Sequence, residues 1–145
     1  MDGSMVHTPA EIVQQLLVDL GLATIGGAWA VYENSLPDDP DNAIAVDDVE
    51  GRLQGRTQVD GRMQGVHGLS IVVRGVDQRT ARTRANLIAT ALDETVNQNL
   101  VTISSNSYRV HAISRTSDTM SLGKDGTNSR RRLFSINAVA SIKAV

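Results

Sequence analysis

Apolar positions along this chain recur first with the period of a helix and then with the period of a strand, and each switch marks an element. In HTPAEIVQQLLVDLG, Ile12, Val13, Leu16, Leu17 and Leu20 form one stripe. Thr8 is placed to cap this helix, Pro9 fits its first turn, Glu11 completes a capping-box spacing, and Gly21 supplies the stop. AWAVYEN then reads as a strand ending in the Pro/Asp turn SLPDDPDN, and AIAV as a short second strand. HGLSIVVRG, rich in β-branched residues, is a third. Asp77 opens a second helix that runs to about Val96, with Ala81, Ala85, Ile88, Leu92 and Val96 on one face and Arg79, Arg82, Asn86, Thr90 and Asp93 on the other. LVTISS and SYRVHAISR follow as two strands joined by an Asn-Ser turn, and RRLFSINAVASI alternates as the last.

The order αβββαβββ predicts an α+β fold, a mixed or antiparallel β-sheet with two α-helices packed on one face. Residues 1–145 read as a single domain, with a Gly/Arg-rich ribbon at 49–66 and a long polar loop at 116–130.

Charge changes this picture more than composition does. Residues 1–50 hold ten carboxylates and no Lys or Arg, whereas residues 51–145 hold all fourteen basic side chains against six acids. Twelve of those bases are Arg, the residue suited to bidentate contact with carboxylate or phosphate. A division this sharp predicts pairing of charge, either within the fold or between copies. The chain has no Cys, which excludes disulfides and thiolate chemistry, and no apolar run approaches a membrane span.

The densest basic stretch, GRLQGRTQVDGRMQG, has neither the Lys-Ser/Thr ending of a P-loop nor the spacing of a dinucleotide loop. Its glycines suit turns and a twisted ribbon. Arg52, Arg56 and Arg62 are therefore read as contacts to another subunit, with a plain solvated hairpin and then contact to backbone phosphates of nucleic acid as the alternatives, although no aromatic is interleaved for base stacking. Asp38, Asp39 and Asp41 in PDDPDN lack the Gly and distal Glu of a calcium loop. His7, His67 and His111 stand far apart without ligand spacing. No nucleophile elbow occurs. The residues point to no enzyme, no metal and no cofactor.

Several stretches together resemble the tail terminator and minor capsid, head-tail joining, proteins of siphovirus-type bacteriophages. They are PAEIVQQLLVDLGL, AVYENSLPDDPDNAIAV, the Gly/Arg ribbon leading to HGLSIVVRG, ARTRANLIATAL, and LGKDGTNSRRRLFSINAVASI. The resemblance spans residues 9–142 as an order of elements. It implies a virion structural protein that forms a hexameric ring, caps the tail tube and presents a surface to the head-tail connector, assembling in the host cytoplasm. Its partners are then other copies of itself, the tail tube protein and the connector protein. Contact with packaged DNA is a further partner that the Arg bias allows. The scarcity of aromatics and the Arg bias depart from the family, leaving terminator and other connector positions both open.

A ring needs a heterologous interface, one patch meeting a different patch on the neighbour. The expected inter-subunit residues are Arg52, Arg56, Arg62, Arg79 and Arg82 on the basic side and Asp38, Asp39 and Asp41 on the acidic side. In the 116–130 loop Met120 and Leu122 are the expected apolar anchors for a neighbouring virion component, rimmed by Lys124 and Arg130.

Overall fold

Helix α1 (Pro9–Asp19) starts where local chemistry dictates. The Thr8 hydroxyl accepts from the Glu11 amide at 3.2 Å, and the Glu11 carboxylate accepts from the Thr8 amide at 3.0 Å. A third free amide of the first turn, on Ala10, donates to Asp48 at 2.8 Å, which ties the helix start to the sheet. Beyond the helix Gly21 takes a left-handed φ of 75°, so the chain can turn back. Helix α2 (Gln78–Glu94) is capped by Asp77, whose side chain accepts from the Thr80 amide at 2.9 Å. In the computed structural model residues 6–25, 29–33, 36, 41–56, 63–124 and 130–145 are described, residues 33, 50–56, 63–65 and 124 by backbone alone.

The strands are β1 (Ala30–Glu33), β2 (Ala43–Arg56), β3 (Met63–Gly75), β4 (Asn99–Ile103), β5 (Asn106–Arg115), β6 (Met120–Lys124) and β7 (Arg132–Ala144). They form one sheet in the order β1-β2-β3-β7-β5-β4, with β6 also beside β7. The sheet is mixed, because β1 runs parallel to β2 while the other pairs are antiparallel. On one face Ile44, Val46, Leu69, Ile71, Val73, Phe134 and Ile136 join the buried sides of both helices in a single core. Helix α2 touches the central strands β7, β3 and β5, whereas α1 touches β2 and β1 and also β4 at the far edge. A helix reaches both ends of the strand order only if the sheet curls. The expected arrangement, two helices packed on one face, is thus met in part: both helices join the one core, but the sheet curls and α1 bridges the opening between its two edges.

Two further differences concern strand length. β2 does not stop after AIAV. It continues to Arg56 opposite Met63, with irregularities between Val49 and Arg52 and between Leu53 and Gly55 that shift the alternation. The loop expected at 116–130 contains β6, which pairs with β7 from Met120↔Ser135 to Lys124↔Arg132. Between Arg115↔Ala138 and Met120↔Ser135 the β5–β6 side has two more residues than β7, so β6 continues the β5 path after a wide bulge. The order is thus αβββαββββ. Finally, β4 and β5 turn at Ser104 and Ser105, two residues before the expected Asn-Ser, with Ser104 at φ 57°.

Candidate assembly surfaces

The positions singled out by charge fall in three places. Arg79 and Arg82 stand exposed on α2, on the same helix as Leu87, which is half-exposed. Near the start of α2 the Asp77 carboxyl is held below its ordinary value, first by the hydrogen bond from the Thr80 amide, then by the Thr80 hydroxyl, with smaller pulls from Arg130 and Arg79. Arg52 and Arg56 lie in β2, in register with Val66 and Met63. Met120 and Leu122 are 42 % and 51 % exposed on β6, which Lys124 ends opposite Arg132, and Arg130 is exposed just before β7. Asp38, Asp39 and Arg62 lie outside the described residues.

Asp41 has work inside its own subunit. Its Oδ1 lies 2.6 Å from Arg131 Nη2 and accepts from Arg131 Nε at 2.8 Å. Its backbone carbonyl accepts from Arg74 Nε at 3.1 Å, and the next side chain, Asn42, accepts from the Val76 amide at 2.9 Å. Arg74 is buried. These contacts pin the start of β2 to the end of β3 and the start of β7. Part of the charge asymmetry is thus resolved within the chain, acid of the first third against base of the last.

Sequence reasoning missed four other contacts. Arg115 clamps Asp93 with Nη2 at 2.6 Å from Oδ2 and Nε within 3.2 Å of both carboxylate oxygens, joining β5 to α2. The Arg84 guanidinium lies 4.6 Å from the centroid of the Trp29 ring. The buried Tyr108 hydroxyl accepts from the amides of Val6 at 3.2 Å and His7 at 3.1 Å, and lies 2.7 Å from His7 Nδ1. Asp48 is the cap partner of α1 already described. Only the single Trp and the rare Tyr, in a chain so poor in aromatics, were signals that could have drawn attention to their neighbours.

Among the described residues no group of three or more His, Asp or Glu side chains is arranged to hold a metal ion. His111 shares its Nδ1 with Gln98 Oε1 at 2.7 Å, while Arg109 donates to the Gln98 carbonyl at 2.9 Å. Burial, and then the charges of Lys143 and Arg109, lower the His111 pKa below its ordinary value. That is a structural knot between β4 and β5.

A second surface lies where the sheet stays open. Glu11, Gln14 and Val18 of α1, Ile25, Val31 of β1 and Ile103 of β4 line a cleft between the two sheet edges. The Gln14 Nε2 is buried there without a hydrogen-bond partner among the described residues. Ile25 is 82 % exposed at this cleft.

In fold, the chain is similar to a solved chain described as "Virion of native gene transfer agent (GTA) particle", with 19 % identity, coverage of 91 % of each chain and a TM-score of 0.52. No protein-family model and no curated protein matches it.

Proposed function

We propose that this protein is a structural subunit of a tailed, phage-like virion: a tail terminator whose copies close into a hexameric ring that caps the tail tube and joins it to the head connector. The observation that carries this reading is the fold likeness to a chain of a gene transfer agent virion, which spans 91 % of both chains. The sequence cues for head-tail joining proteins add the terminator position, and another connector subunit is the alternative within the same class.

The chain acts by assembly. Its acidic first third and basic remainder offer the two unlike patches that a closed ring requires. Arg52, Arg56, Arg62, Arg79 and Arg82 of one copy face Asp38 and Asp39 of the next, while Asp41 remains with Arg131 of its own subunit. Met120 and Leu122 on β6 are the apolar anchors that meet the tail tube or the connector, with Lys124 and Arg130 at their rim.

Negative-stain imaging of the purified protein, together with a DNA-binding titration across salt, tests this. Closed rings with weak DNA binding are the expected result. Scattered monomers with strong, salt-dependent DNA binding would replace it with an Arg-rich nucleic-acid-binding module.

A further inference from the structure

The strand edges left open by the fold are unequal. β1 pairs with β2 only from Ala43 to Val46, so among the described residues no strand lies against that edge of β2 from Asp47 to Arg56. At the other end of the strand order β4 pairs, among the described residues, with β5 alone, and its sequence NLVTI contains no charge and no Pro to deter pairing. Its Leu100 is half-exposed. Unprotected edges of this kind seek a further strand. The cleft beside the β4 edge adds three requirements: apolar walls from Val18, Ile25, Val31 and Ile103, a buried Gln14 amide that needs an acceptor, and acid without base. Glu11 supplies the acid, and no Lys or Arg is among the lining residues.

We infer that this cleft receives residues 51–56 of a second copy, laid as an added strand against the open edge of β4. The segment GRLQGR is extended, carries Arg52 and Arg56 without a carboxylate, and has an open edge of its own. It complements the cleft in charge, its Leu53 supplies an apolar side chain for the walls, and its carbonyls supply acceptors for Gln14 Nε2. The edge of one copy is thereby covered by an arm of the next, a heterologous contact that repeats around a ring. The inference rests on the ring reading, and names the arm and the receptor that make it.

Because the chain has no Cys, disulfide trapping is clean. One preparation carries Ile25→Cys and another Leu53→Cys. Ile25 is 82 % exposed, so its replacement leaves the subunit folded, which thermal melting verifies. Mixed and oxidised, the two are expected to give a covalent heterodimer that neither gives alone, and Leu87→Cys on the exposed side of α2 mixed with Leu53→Cys is expected to give none. Uncross-linked Ile25→Lys is expected to raise the concentration needed for assembly by about ten-fold or more. Light scattering on the same samples separates the failures. Rings that form without the 25–53 link, or that link equally at 87–53, would overturn the arm-in-cleft contact and leave the ring reading standing. Monomers throughout would overturn both.

Discussion

Replacing Gly75 by Ala tests the packing on which every surface above depends. Gly75 is the last residue of β3, and α2 begins three residues later. A Cβ built on it meets Ala81 N at 2.5 Å, Ala81 Cα at 2.7 Å and Ala81 Cβ at 2.8 Å, where ordinary contact starts at 3.4 Å. Two of those three atoms are helix backbone, so no rotamer change relieves the overlap. Helix α2 must back away from β3 by most of an ångström near its N-terminus, and the contacts of buried Ala81, Ala85 and Ile88 loosen with it. A gap of ~0.5–1 Å forfeits about a quarter to a half of each dispersion contact. Overpacking against backbone belongs at the upper end of the usual range, so Gly75→Ala should cost about 3 kcal/mol. For a domain of this size that lowers Tm by roughly 10 °C. Thermal unfolding followed by circular dichroism at the helix band reads it directly. Adding Ala81→Gly removes one of the three overlaps and should restore only part of the loss. A Gly75→Ala protein melting within about 2 °C of the parent would refute the close β3–α2 junction.

The remaining predictions concern assembly and pH. Replacing Arg52, Arg56 and Arg62 together by Ala should weaken self-association in sedimentation while the subunit Tm moves little, since exposed charges contribute about 0–1 kcal/mol each to folding; outright unfolding would show that these arginines are internal. The double change Met120→Ser with Leu122→Ser should leave folding and ring formation intact and abolish co-sedimentation with tail tubes, and retained docking would remove β6 from the proposal. Burial lowers the pKa of His67 against the opposing pull of Asp48, and burial with Lys143 and Arg109 lowers that of His111, both from an unfolded value near 6.5. The unfolded chain therefore takes up these protons first as pH falls. The stability they contribute is complete above the unfolded value and is lost through the window below it. Tm should fall as pH is lowered through that window, and His67→Gln with His111→Gln should flatten the dependence; an unchanged slope in the double variant would refute the assignment.

How much of this was legible in the sequence depended on whether the signal was local. Thr8, Pro9 and Glu11 announce α1 within four residues, and Asp77 with the Ala81, Ala85, Ile88 and Leu92 stripe announces α2. β3, β5 and β7 carried enough alternation to be seen. β2 was cut short because the irregularities after Val49 and Leu53 break its alternation just where Gly and Arg replace β-branched residues. β6 was invisible because MSLGK has little strand character of its own and exists by pairing with β7. The curl of the sheet, with α1 between β1 and β4, is a property of strand order that no window of sequence contains. The same holds for the surfaces. The division of charge was plain, but that Asp41 serves Arg131 within the subunit depends on two residues ninety positions apart.

Native mass spectrometry of the purified chain is the most direct measurement of the central claim, that this is a subunit of a ring held in part by unlike charges. The account predicts one discrete multiple of the 15.5 kDa subunit at low ionic strength, with dissociation to smaller species as salt is raised and exposed charges are screened. A 15.5 kDa monomer as the sole species at every salt and protein concentration would contradict it.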